Sequence, residues 1–290
     1  MKKFGVLLIV LSGLLWGSMG VFLKLVQSFG FSALQCTALR IGSAALVLWV
    51  FTGIFSPKSL KISFKELPML ILCGAVSVGG MSALYLSAID MTSVSVAAVL
   101  LYMSPVWVMI FSVLFLKEKL TVKKAVAAVI AFLGCACIAG LSGDTKTSFI
   151  GILLGILSGV FYASYSIFGT FALQKNSGLT VTCYTFLFAS VVSFCIGDLP
   201  GIIEVISASE KLLELSGVVF LFGFITAVAP FAFYTIGLKY VNASKAAVLA
   251  CIEPVTAAFF GFFLYDEPLN YLGIGMILIA ILMLSKKEKE

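Results

Sequence analysis

The sequence predicts an all-α integral membrane protein: ten transmembrane helices arranged as two inverted five-helix repeats, with both termini cytoplasmic. Three observations predict this class. The 290-residue chain is 61% hydrophobic and only 11% charged, whereas a soluble domain carries about 25% charged residues. The second half repeats the first. At a shift of 149 positions Tyr85, Ser95, Pro105, Phe111, Glu118 and Leu120 meet Tyr234, Ser244, Pro254, Phe260, Glu267 and Leu269, without a gap. Shared Ala and Leu alone would arise by chance in so apolar a chain; paired Pro, Glu, Tyr and Ser argue for a true repeat. Finally, lysines cluster between the apolar runs, as membrane flanks do.

A membrane helix needs about 20 mostly apolar residues, and ten runs qualify. The first, about 4–26, follows Lys2-Lys3. Its opening also resembles a signal peptide, but the apolar run continues past any early cleavage point, so it is read as an uncleaved helix. The second, about 32–55, holds the lone Arg40 and stops at Ser56-Pro57-Lys58. The third is about 67–89. The fourth, about 92–116, stops at Lys117-Glu118-Lys119. The fifth, about 122–141, stops at Ser142-Gly143-Asp144 and closes a first repeat over 1–141.

The sixth run, about 149–173, opens a second repeat over 149–285 and carries Gly151, Gly155, Gly159 and Ala163 every four residues. Such a small-residue stripe permits close helix contact, or sliding. Lys175-Asn176-Ser177-Gly178 ends it. The seventh, about 180–198, is mostly apolar, with Thr182, Tyr184 and Thr185 as its main polar groups. The longest break, about 199–214, holds Pro200-Gly201 and four charges, and suits a short amphipathic helix on the membrane surface. The eighth, ninth and tenth runs are about 215–238, 242–265 and 269–285, with Asp266-Glu267-Pro268 before the last.

With the N-terminus inside, Lys2, Lys3, Lys58, Lys61, Lys65, Lys117, Lys119, Lys123, Lys124, Lys175, Lys239, Lys245, Lys286, Lys287 and Lys289 fall on the cytoplasmic side. The other side receives only Lys24, Lys146 and Lys211. That asymmetry puts both termini inside. Five helices per repeat is odd, so the halves insert upside down relative to each other. The net charge of +6 is scattered between spans, which argues for a lipid bilayer as partner and against nucleic acid.

The chain has no His, the commonest general base and metal ligand. Its seven Cys, at 36, 73, 135, 137, 183, 195 and 251, lie within apolar spans without metal-site or redox spacing. They read as small apolar residues, and no cofactor is expected. An intramembrane enzyme therefore lacks its usual catalytic groups. A channel would need rings of polar residues along a path, and only Arg40 and Glu253 are strongly polar at depth. A membrane scaffold or sensor would not need a polar, aromatic-lined centre between inverted repeats.

Arg40 lies mid-span, where insertion costs about 2.5–3.5 kcal/mol, so it should face the bundle interior or water. Two readings stay open: a fixed cation for a substrate carboxylate, or a structural Arg bonded to carbonyls or an acid. Glu253, beside Pro254, is a candidate proton carrier, an anchor for a substrate ammonium, a partner of Arg40, or a packing carboxyl. Its repeat counterpart is the neutral Ser104. Pro105 and Pro254 each remove a backbone donor and free a carbonyl one turn earlier, near Leu101 and Ala250. They are candidate hinges or static bends. Trp16, Tyr85, Tyr102, Trp107, Tyr162, Tyr165 and Tyr234 are candidate cavity walls, against the plainer reading of interfacial belts and core packing. Lys24 should snorkel to the outer surface.

Several of these residues form a recognisable set. The first span has Trp16-Gly17 with Lys24 eight residues on, and the second has Arg40. The fourth reads Leu100-Leu101-Tyr102-Met103-Ser104-Pro105 and ends Phe115-Leu116-Lys117-Glu118-Lys119-Leu120-Thr121. The ninth reads Leu249-Ala250-Cys251-Ile252-Glu253-Pro254 and ends Phe263-Leu264-Tyr265-Asp266-Glu267-Pro268. The chain resembles the EamA-type branch of the drug/metabolite transporter superfamily over almost its whole length. Tyr162-Ala163 departs from the Trp-Ala often found there, and the apolar seventh span departs as well. The resemblance implies a central cavity between the repeats, alternating access by rocking of two bundles, and small metabolites such as amino acids as substrates, often exported through a bacterial-type cytoplasmic membrane. Arg40, Glu253 and the aromatics suit a zwitterion with an apolar side chain; an organic cation or drug-like amine anchored at Glu253 is the alternative. Proton coupling is a separate possibility, and ATP drive lacks a nucleotide-binding loop. A monomer would suffice, while the outer faces of the fifth and tenth helices would allow a homodimer.

Overall fold

In the computed structural model residues 2–140 and 148–285 are described. The expected break at Ser142-Gly143-Asp144, and Lys146, Lys286, Lys287 and Lys289, lie outside them. The described residues form helices and connecting turns. Among the described residues nine helices are long and apolar enough to cross a membrane: α1 Lys3–Gln27, α2 Ala33–Phe55, α3 Leu67–Met91, α4 Val94–Leu116, α5 Val122–Ala139, α6 Phe149–Ala172, α7 Gly178–Ile196, α8 Leu212–Gly237 and α9 Ala243–Tyr265. The tenth apolar helix, α10, is Tyr271–Ser285.

Hydroxyl caps set several starts. Ser32 and Gln35 exchange side-chain and backbone bonds of 2.9 and 3.2 Å in a reciprocal capping box. Ser93, Thr121 and Ser177 accept from Val96, Lys124 and Thr180 N–H at 3.2, 3.3 and 3.0 Å. The Ser177 cap starts α7 earlier than the apolar run alone suggests. Likewise α8 starts at Leu212, because Glu214 sits in its first turn, where a carboxylate complements the helix dipole. The expected surface helix is Leu199–Ala208, with Asp198 capping Gly201 N–H at 3.3 Å.

The repeat is visible in irregular places. Wide π-type turns occupy Leu72–Gly80 in α3 and Phe224–Val228 in α8, overlapping at the 149-residue shift. The helices α4 and α9 break at Tyr102-Met103 and at Cys251. Lys117 and Asp266, also repeat partners, both close their helices in the left-handed region, with φ 55° and 53°.

Packing follows a pseudo-two-fold axis. Helix α1 packs on α8 and α9, and its counterpart α6 on α3 and α4. The self-related pairs α2–α7, α4–α9 and α5–α10 cross the axis. At the α5–α10 crossing a Cβ on Gly134 would stand 2.9 Å from the Gly273 carbonyl, and one on Gly273 2.7 Å from that of Gly134. Large apolar side chains such as Leu46, Leu114, Phe263 and Leu282 are exposed, as lipid-facing residues are.

Candidate functional site

The centre of the bundle lies where α1 and α6 meet the breaks of α9 and α4. Pro254 and Pro105 deny the carbonyls of Ala250 and Leu101 their usual donors. Glycines from the opposite repeat cover that backbone. A Cβ on Gly13 would stand 2.9 Å from the Ala250 oxygen. One on Gly159 would stand 2.7 Å from the Leu100 oxygen and 3.3 Å from that of Leu101. Close approach is possible only because these residues lack side chains.

One turn further along α1 is Trp16, buried; the corresponding residue of α6 is Tyr162. Their rings meet edge to face at 6.5 Å. Trp16 also contacts Phe231 at 5.1 Å and Tyr234 at 5.5 Å. These residues, with Tyr165, Ser166, Ser104 and the small Ala163, Ala247 and Ala250, enclose a cavity of about 30 Å³. Such a space holds about two waters. Its hydroxyls are largely paired: Ser166 with Tyr234 at 2.7 Å, and Tyr165 with Thr235 at 2.6 Å.

Glu253 stands in the first turn of the second half of α9, a favourable place for an anion. Tyr162 donates its hydroxyl to Glu253 Oε2 at 3.4 Å, which joins the carboxylate to the cavity wall. Glu253 is half-buried, so it keeps some access to space inside the bundle. Tyr85 and Tyr102 lie within its electrostatic reach but outside the cavity wall.

Arg40 is buried to 5% exposure. Its Nη1 donates to the Thr226 carbonyl, in the wide turn of α8, at 3.4 Å. Phe222 lies beneath the guanidinium with the ring centroid 6.0 Å away. Its Nε is buried without a hydrogen-bond partner. Arg40 feels the charge of Glu253, yet the two form no salt bridge and Arg40 does not line the cavity.

Of the residues singled out from sequence, Trp16, Tyr162, Tyr165 and Tyr234 come together around the cavity, and Glu253 joins them through Tyr162. Arg40, Tyr85, Tyr102 and Trp107 are not in the cavity wall. Ser104, Ser166 and Phe231 were not singled out as wall residues. Ser104 was findable as the repeat counterpart of Glu253, and Ser166 as one helical turn from Tyr162. Phe231 carried no such signal.

The EamA-like transporter family model matches residues 3–140 and again 149–286. An uncharacterized transporter of Archaeoglobus fulgidus is 29% identical over 286 residues, covering 97% of this chain and 96% of its own. The uncharacterized transporter YwfM of Bacillus subtilis is 23% identical over 290 residues, covering 98% and 94%. A crystal structure with 18% identity superposes with a TM-score of 0.77 over 98% of this chain and 96% of that one, which is a likeness of fold.

Proposed function

We propose that this chain, which belongs to the EamA-like transporter family, exports a small amino acid or related zwitterion through the cytoplasmic membrane by alternating access. The observation that carries this reading is the Glu253–Tyr162 contact at the wall of a closed, aromatic cavity. A half-buried carboxylate beside aromatic faces suits a substrate ammonium. The Arg40 Nε without a partner, within electrostatic reach of Glu253, suits the other end of the same molecule. A space for about two waters admits no amino acid. Substrate therefore enters only when the repeats rock apart, with Pro105 and Pro254 as hinges.

A second reading is favoured by one observation. Arg40 already donates to the Thr226 carbonyl and stands off the cavity wall, which suits a substrate with an ammonium but no carboxylate. Uptake of radiolabelled amino acids, carboxylates and amines into proteoliposomes separates the two. Arg40→Ala should abolish amino-acid transport and spare amine transport. Amino-acid uptake that survives this substitution sinks the zwitterion reading.

A further inference from the structure

The cytoplasmic-side loop after α4 reaches into the other repeat. Glu118 Oε1 accepts the Ala243 N–H at 2.8 Å, and Oε2 accepts the Ser244 hydroxyl. The carboxylate thus caps the first turn of α9, whose own N-cap residue, Asn242, makes no side-chain capping bond. Orphan N–H groups at a helix start are an anion-binding site. Lys124 completes the cluster at 3.7 Å from Glu118 Oε2, with side chains only 7% and 10% exposed. Its Nζ also donates to the Lys119 carbonyl at 3.3 Å. One repeat is pinned to the other by a buried charge that needs its partners in place.

The same parts exist on the opposite face, unengaged. Glu267 is the repeat partner of Glu118. The two loops share their backbone geometry: Glu118 N–H donates to Ser112 at 3.0 Å, and Glu267 N–H to the equivalent Gly261 at 3.2 Å. The docking site for Glu267 would be the start of α4, where Val94 and Ser95 correspond to Ala243 and Ser244. There Ser93 caps its own helix, and Ser95 makes no side-chain hydrogen bond among the described residues. Glu267 is 61% exposed and lies 3.9 Å from Lys24, whose Nζ sits 3.3 Å over the Tyr265 ring.

We propose that Glu118 and Glu267 are the two bolts of one alternating lock. Glu118 on Ala243 and Ser244 closes one face. Rocking withdraws it and seats Glu267 on Val94 and Ser95, closing the other. Because the repeats are inverted, engaging one bolt and freeing the other exchanges the open face. The lock is biased. Lys124 has Gly273 as its counterpart, so the Glu267 bolt has no buried cation behind it. Lys24 further holds Glu267 in its free position. The resting state is therefore closed at Glu118. This rests on the carrier reading only in requiring two facings.

The test is a pair of spin-label distances on the full chain in lipid nanodiscs, with no substrate added. Cys195 and Cys137 are replaced by Ser. Lys119→Cys with Lys239→Cys reports the Glu118 face, and the repeat-related Pro268→Cys with Asp90→Cys reports the other; all four positions are exposed. Glu118→Ala should lengthen the first distance and shorten the second, moving the closed-to-open ratio about tenfold or more, as loss of charge-assisted bonds requires. Ser244→Ala, which removes one bond and leaves the charge cluster, should move both in the same sense by less. Glu267→Ala should abolish the minor population in which the second distance is short. Unchanged distances in Glu118→Ala and Ser244→Ala, or a change at one face without the reciprocal change at the other, overturn the lock. Transport with no reciprocal shift loses the lock alone; reciprocal shift with no uptake of any probe loses the substrate reading alone.

Discussion

Gly159→Ala tests the central packing most directly. The added methyl carbon would lie 2.7 Å from the Leu100 oxygen, whereas ordinary contact begins at 3.4 Å. The opposing atoms are backbone on the α4 break, so α6 and α4 must part by about 0.7 Å over their contact. Forcing an extra methyl into a packed interior costs about 1–3 kcal/mol. Ala returns up to ~1 kcal/mol of helix propensity over Gly. The expected net loss is about 1–2 kcal/mol. Gly217, in α8, is the matched control, since its added carbon would meet nothing within 4 Å. Gly217→Ala should be neutral or stabilising. Thermal unfolding in the same detergent reads both. Gly159→Ala should melt several degrees below wild type, at roughly 2–4 °C per kcal/mol. Gly13→Ala, facing the Ala250 oxygen from the other repeat, should behave alike. Equal melting points for Gly159→Ala and Gly217→Ala would refute the close crossing.

Lys124→Met leaves Glu118 without its buried cation and should cost about 2 kcal/mol, less than the 3–5 kcal/mol for an isolated buried pair because two hydrogen bonds to Glu118 remain; adding Glu118→Gln should recover part of the loss in the same melting assay. Cysteine at Pro268 should react with a membrane-impermeant maleimide in intact cells, and cysteine at Lys119 only after lysis; the reverse pattern inverts the proposed orientation. Glu253→Gln should remove any dependence of uptake on a pH gradient, and pH-driven flux that persists in it discards Glu253 as a proton carrier.

The ten helices, the repeat and the two proline positions were legible because each leaves a pattern one residue wide: apolar length, a fixed 149-residue shift, or a missing donor. The stripe Gly151, Gly155, Gly159 was legible as a packing face, and it meets Met91, Thr92 and Leu100. Other features were not. The break after Trp16 in α1 and the wide turns of α3 and α8 leave no such pattern in the sequence. Lys124 reads as one more flanking lysine, yet it is 6% exposed, because its ammonium turns back to Glu118 and Lys119. Arg40 and Glu253 invite pairing by charge alone. The fold gives Arg40 a carbonyl and Glu253 a phenol instead.

What differs between the repeats is more telling than what they share. Prolines, wide turns, left-handed loop residues and crossing glycines recur in both halves, and these build and bend the bundle. Apart from Glu118 and Glu267, charge of the same sign does not recur. Glu253 faces Ser104 in the other copy, and Lys124 has Gly273 as its counterpart. Counted from the helix caps Ser32 and Ser177, Arg40 corresponds to Thr185, itself buried with an unpartnered hydroxyl. A symmetric scaffold gives two facings of similar packing energy, which alternation needs. In the proposed cycle, the asymmetric charges would decide which facing is preferred and which end of a substrate is held. Making the two copies alike at one such pair should therefore move the balance: Lys124→Gly should shift the preferred facing, read by the same pair of spin-label distances.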